Sequence, residues 1–220
     1  MKRPSGDKLG WAKPLNVPGS HFIFQVKPTG TSVNRMSYRQ AGDIADLTVE
    51  DSSGTPTQSA AWLNVFQDAN WHQFGMTWSN SGPLMENYLD GVNLGAPDGG
   101  TATPAITMTD TNRSVAVGAL INGNTGFEGL IMSIALFRVV LTSQQILATY
   151  NGGNGSAFDL NTDSGNYGQS GDLAHWWRCG HEADPNLGKD FAEAGFTPTI
   201  DIGVNKVGLD DNDRVADVPT

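Results

Sequence analysis

An all-β sandwich of two antiparallel sheets with one short helix is the fold this sequence predicts, on three observations. Gly supplies 27 of the 220 residues and Pro 11, whereas charged residues are only 16%; that composition suits many tight turns between short strands. Short apolar runs recur with turn signals between them from about residue 20 to residue 140. Only one segment of the first 155 residues carries both start and stop signals of a helix. No internal repeat is present.

Taken in order, Met1–Ser20 contains Pro4, Pro14 and Pro18, which forbid a regular helix. It reads as an extended basic arm over residues 1–19, its lysines and Arg3 solvated. His21–Lys27 places Phe22, Phe24 and Val26 on one face, with Ile23 interrupting the other, and Pro28-Thr29-Gly30 ends it. Arg35–Gln40 and Ile44–Val49 are further strands; Ser52-Ser53-Gly54 is a turn, and Ala60–Phe66 is a weaker strand. Trp71–Ser79 is the strongest, with Phe74, Met76 and Trp78 expected to point inward. Leu84–Leu94 reads as a hairpin turning at Asp90-Gly91, a pair suited to left-handed backbone. Ser114–Ala119 and Leu130–Val140 complete the set. Thr142 and Gln145 form a capping box before Ile146, Leu147 and Tyr150, and Gly152 supplies the stop. From 156 to 220 the texture changes: a loop to Gly171, a strand over Leu173–Cys179 carrying Trp176 and Trp177, then scattered apolar residues spaced by Gly and acid.

Charge excludes some functions. The formal net charge is −10, the opposite of what a duplex nucleic-acid binder needs. Residues 1–150 carry 9 basic and 11 acidic groups; residues 181–220 carry 3 and 9. No run approaches the ~18 apolar residues of a membrane span, and no apolar run follows Lys2, Arg3 and Lys8, so a soluble product without a cleavable signal is expected. Cys179 is the one cysteine, which excludes an internal disulfide and a thiolate metal cage.

Trp71-His72-Gln73-Phe74-Gly75-Met76-Thr77-Trp78 followed by Tyr88-Leu89-Asp90-Gly91, then Val117-Gly118 and Phe127-Glu128-Gly129, then Gly129–Tyr150, resembles the laminin G-like domains of the concanavalin A-like lectin/glucanase superfamily. The resemblance spans residues 20–155 and implies a jelly-roll sandwich. Leu173-Ala174-His175-Trp176-Trp177-Arg178-Cys179-Gly180 and Asp217–Pro219 resemble the form found in tailed-bacteriophage virion proteins, which implies a virion location and virion partners. In the family an Asp-Glu pair commonly stands where this chain has Met132 and Ser133. Because Leu130–Val140 is apolar almost throughout, both faces of that strand should be covered, by the Trp176–Trp177 segment or by another subunit.

Catalysis is not expected. The glucanases of the superfamily use a strand-borne Glu-x-Asp-x-x-Glu, whose carboxylates flank the glycosidic bond, and this chain has none. Glu50 and Asp51 are adjacent, so on a strand they face opposite ways. His21, His72, His175 and His181 show no metal spacing. Cofactors are not required, although the superfamily often holds calcium or sugar on rim loops, and calcium takes six to eight oxygens. The rim candidates are Asp110 and Asn112 before one strand and Asn122 and Asn124 after it; Asp43 and Asp46 are a candidate calcium pair. Trp62 is the candidate sugar platform. Trp11, Lys13, Met132, Trp176 and Trp177 are the candidate assembly contacts.

The expectation is a non-enzymatic, lectin-like virion module (head fibre, capsid decoration or tail fibre) that binds cell-surface glycans weakly and gains avidity from many copies. The alternative is a purely structural decoration docking on the particle through its arm and acidic tail. Either predicts a homo-oligomer, a trimer by analogy, with no nucleic acid and no membrane insertion.

Overall fold

A computed structural model of the chain describes residues 6–15, 20–28, 36–50, 56–65, 67–79, 85–102, 113–118 and 127–179. In chain order the strands are β1 (Gly6–Pro14), β2 (Ser20–Pro28), β3 (Met36–Ala41), β4 (Ile44–Glu50), β5 (Pro56–Trp62), β6 (His72–Trp78), β7 (Met85–Leu89), β8 (Val92–Asn93), β9 (Gly99–Ala102), β10 (Arg113–Val117) and β11 (Gly129–Phe137). Helix α1 (Ser143–Tyr150) and β12 (Leu173–Trp177) follow. Two six-stranded antiparallel sheets result. Sheet I runs β12-β11-β1-β6-β7-β8, and sheet II runs β10-β2-β3-β4-β5-β9. The expected sandwich is present.

The largest correction concerns the N-terminal segment. Gly6–Pro14 is no arm awaiting a neighbour; it is an interior strand of sheet I, antiparallel to β11 on one side and β6 on the other. Its glycines explain the fit. A Cβ at Gly10 would stand 2.4 Å from Ile134 and 2.6 Å from Phe74, and one at Gly6 would stand 2.6 Å from the Phe137 carbonyl oxygen. The sandwich therefore begins well before residue 20.

Between the sheets lies the main core. Phe74, Met76 and Trp78 face it as expected, with Ile23, Phe24, Tyr38, Leu47, Trp62, Ile134 and Trp177. In β2 the register shifts between Phe22 and Phe24, so Ile23 and Phe24 are both buried and Phe22 turns to the opposite face. That shift resolves the interruption at Ile23 and corrects the expectation that Phe22 and Phe24 share a side.

The second face of sheet I is covered from within the chain. Leu9, Tyr88, Ala135 and Phe137 pack under Leu141, Ile146, Leu160, Tyr167, Leu173 and Trp176. Helix α1 has the predicted capping box between Thr142 and Gln145. Its left-handed stop falls on Asn151, one residue ahead of Gly152. The Trp176–Trp177 strand joins the edge of β11, and its two indoles enter the two separate cores. Residues of this chain thus pack on both faces of Gly129–Phe137, while Val140 stays exposed.

Two ionisable side chains of β1 are fully buried, against the expectation of a solvated arm. The Lys8 amine lies 3.2 Å from the centroid of the Phe24 ring, without a hydrogen-bond partner among the described residues. Burial holds its pKa well below the ordinary 10.5. On the other face, Asp7 Oδ2 accepts a bond from the Leu141 amide. Burial pushes the Asp7 carboxyl up to about 9. At neutral pH the Asp7 carboxyl is therefore protonated, and burial favours the neutral form of the Lys8 amine.

Loops are tied by His72. Its Nδ1 lies 2.8 Å from Asp90 and its Nε2 2.9 Å from Asp68. The bond to Asp90 is the largest influence on the ring; burial opposes it, Asp68 reinforces it, and the pKa rises to about 9. Asp90 also accepts from the Gln73 amide, so one cation fixes the β7–β8 turn to the loop before β6.

Two pH experiments follow from these groups. Asp7 contributes stability below pH 3.8 that is lost as pH rises through about 9. Lys8 contributes stability above pH 10.5 that is lost as pH falls below it. The two slopes oppose each other. Urea melts between pH 7 and 8.5 should show a wild type that loses stability with rising pH, because the His72 contribution also fades in that window. Relative to wild type, Lys8→Met should lose stability more steeply with rising pH and Asp7→Asn less steeply, the Asp7 difference reaching up to about 1.4 kcal/mol per pH unit. Three parallel profiles would show that these groups are not buried as described. For His72 the stabilisation is full below pH 6.5 and lost as pH rises through about 9. The deficit of His72→Gln should be about 1 kcal/mol at pH 6, limited by the half-exposed Asp68, and should shrink by pH 10. An unchanged deficit would assign the ring a packing role only.

Candidate carbohydrate-binding face

With sheet I sealed on both sides, the described residues place no buried apolar cluster on the outward face of sheet II. That face is organised by the β3–β4 hairpin. Ala41 pairs with Ile44 across Gly42-Asp43, and Gly42 adopts a φ of 65°, the left-handed first position of a two-residue hairpin turn. The turn fixes the pairing of Arg39 with Asp46. Continued across the sheet, Phe22, Arg39, Asp46, Ala61 and Gly99 form one register row. The adjacent row is Gln25, Ser37, Thr48, Ser59 and Thr101. Residues alternate in and out along each strand, so Phe22, Arg39, Asp46, Gln25, Ser37 and Thr48 face away from the core that holds Tyr38 and Leu47; Gln25 and Ser37 are nonetheless buried, and the accessible part of this face centres on Phe22, Arg39, Asp46 and Thr48.

The centre of this face is an ion pair on an aromatic ring. Arg39 Nη2 donates to Asp46 Oδ2. Thr48 Oγ1 donates to Asp46 Oδ1 at 3.2 Å. The guanidinium carbon lies 5.9 Å from the centroid of Phe22. Arg39 keeps 36% of its side chain exposed and Asp46 16%, so both reach solvent while the pair holds them in place. A planar fork of donors, a carboxylate and an aromatic ring are groups that hold sugar hydroxyls and C–H faces.

Of the residues singled out from the sequence that are among the described residues, Asp46 is the one in these rows. Trp62 is 2% exposed in the main core, with Nε1 donating to the Gly95 carbonyl at 3.1 Å; it offers no sugar platform. Trp11 is buried and stacks on Tyr150 at 5.6 Å, because β1 carries it under the chain that follows α1. Met132, Trp176 and Trp177 are also buried within this one chain, and the Trp176 indole donates to Ser133 Oγ at 2.9 Å. Lys13 is half-buried in β1, opposite Leu130. These five therefore have intramolecular positions where assembly contacts were expected. Asp43 is exposed at the turn, and its carbonyl accepts from the Val65 amide. Asp46 is engaged by Arg39 and Thr48, and among the described residues no group of three His, Cys, Asp or Glu is placed to hold a metal. Asp110, Asn112, Asn122 and Asn124 lie outside the described residues, as does Asp51. The Arg39–Asp46 pair was missed, although its signal is present: a Gly-Asp turn between two strands pairs residues three before the Gly with those three after the Asp.

Comparison with known proteins agrees with this architecture. No curated protein matches the chain. Among solved structures, the CBM40 of the Ruminococcus gnavus IT-sialidase, bound to α2,3-sialyllactose, is 11% identical with a TM-score of 0.55, over 67% of this chain and 83% of that one. A Bacteroides ovatus protein provisionally assigned as carbohydrate binding is 13% identical with a TM-score of 0.57, over 86% of this chain and 49% of that one. The NanB sialidase of Streptococcus pneumoniae is 14% identical with a TM-score of 0.54; 67% of this chain matches 24% of the enzyme. At these identities the likeness is one of fold. A laminin G family model matches residues 10–147, which includes most of β1 and well over half of the sequence, and the chain belongs to the concanavalin A-like lectin/glucanases superfamily.

Proposed function

We propose that the chain is a non-catalytic, lectin-like module that holds glycans on the outward face of sheet II, around Phe22, Arg39, Asp46 and Thr48. The observation that carries this reading is the accessible Arg39–Asp46 pair on the sheet face that no described apolar cluster covers. It is supported by the structural likeness to a CBM40 solved with sialyllactose and to a protein assigned as carbohydrate binding. Hydrolysis of a glycosidic bond needs two suitably separated carboxylates. In the two central rows of this face Asp46 is the one carboxylate among the described residues, and it is tied to Arg39.

A virion setting, with many copies raising a weak affinity, remains part of the proposal. Its support is the likeness of Leu173–Gly180 and Asp217–Pro219 to the phage form. In the alternative, a purely structural decoration docking through the arm and the acidic tail, Trp11 cannot be the anchor, since it is buried inside the sandwich; the acidic tail lies outside the described residues. A homo-oligomer likewise no longer follows from Met132 or Trp176.

A glycan array displaying the protein multivalently tests the reading. Binding should be detected for wild type, and Arg39→Ala should weaken it at least tenfold, about 1.4 kcal/mol, with an unchanged melting temperature. Retained binding in the variant would move the sugar off this face.

A further inference from the structure

The pair of charges at the centre of the outward face also bears on which sugars it accepts. Resting on the reading of that face as the glycan surface, we infer that it selects neutral sugars presenting a vicinal diol over sugars carrying a carboxylate. The donor and acceptor inventory leads there. A guanidinium has five N–H donors, and Arg39 gives one to Asp46. Each Asp46 oxygen has two acceptor sites; Oδ2 takes Arg39 and Oδ1 takes Thr48. Among the described residues, one acceptor site per oxygen and several guanidinium donors are left, side by side and partly exposed. Two adjacent hydroxyls match that set, each donating to Asp46 and accepting from Arg39. The Phe22 ring beside them offers apolar surface for a C–H face of the sugar.

Carboxylated sugars meet the opposite situation. Arg39 is the one cation among the described residues of the two rows, and its charge is already matched by Asp46. A ligand carboxylate seated on the free edge of the fork would share that cation with Asp46 a few ångströms away, and like charges at such range disfavour one another. The chain's formal charge of −10 adds long-range repulsion, strongest at low salt. This expectation departs from the sialylated ligand seen with the structurally similar CBM40.

Binding should be measured for wild type, Asp46→Asn, Arg39→Lys and Arg39→Ala on an array of neutral, sialylated and uronic-acid glycans at 20 and 300 mM NaCl, with melting temperatures as the folding control. Neutral glycans should lead, at least fivefold over their sialylated counterparts at 20 mM NaCl, with the gap narrowing at 300 mM. Asp46→Asn should lose neutral binding at least tenfold and close the gap. Arg39→Lys should lose it too, because an ammonium cannot replace the planar fork. Preference for sialylated or uronic glycans, abolished by Arg39→Ala, would overturn the inference while leaving this face as the sugar surface. Binding indifferent to all three variants, or binding of no glycan, would overturn both.

Discussion

The fold depends on one insertion: the Gly6–Pro14 strand lies between β11 and β6 and hydrogen-bonds to both. Without it, two strands far apart in sequence would have no common neighbour, and sheet I would be split into two pieces. The strand is unusual for the position it holds. It carries an aspartate and a lysine that are fully buried, one on each face, at a cost that only a neutral form of each side chain keeps tolerable. Gly6 and Gly10 allow close approach where any side chain would collide. Apolar burial on both faces of the sheet supplies the compensation, through Leu9, Trp11 and Ala12 of the strand itself.

The consequence is an asymmetric sandwich. Sheet I has a core on each side, because α1 and the 155–173 segment lie over its outer surface. Among the described residues, sheet II has one core and one outward face. The site follows from that asymmetry and from local chemistry. A two-residue turn sets Arg39 opposite Asp46, and a register shift in β2 brings Phe22 beside them instead of into the core. Position is thus dictated by backbone irregularities at Gly42 and Ile23, and the ion pair holds the side chains ready for a ligand.

Much of this was legible in the sequence wherever the determining signal is local. The alternation of Phe74, Met76 and Trp78 gave their face, and the Thr142–Gln145 box gave the helix start. The run at Leu130–Val140, apolar almost throughout, pointed to packing on both its faces, though it could not show that much of the cover is this chain's own. The N-terminal strand was illegible because its evidence is non-local. Gly-Asp-Lys-Leu-Gly-Trp-Ala-Lys-Pro has no alternation, and a buried Lys8 and Asp7 contradict the ordinary preference of such residues for water. Trp11 and Trp62 were read as available for the same reason: burial of a lone aromatic residue is settled by partners distant in sequence. The Phe22–Arg39–Asp46 row combines both cases. Its hairpin half could be read from the turn, whereas Phe22 requires the shift at Ile23.

Amide hydrogen exchange followed residue by residue measures the central insertion directly, since protection reports backbone hydrogen bonding and its opening free energy. Amides within the β1 segment, Leu9 and Trp11 among them, should be protected to the same level as those of Phe74 and Met76 in β6, and should open with the global unfolding of the sandwich. Exchange of the Gly6–Pro14 amides at the rate of an unstructured peptide, while β6 stays protected, would contradict the account and return the segment to an arm outside the fold.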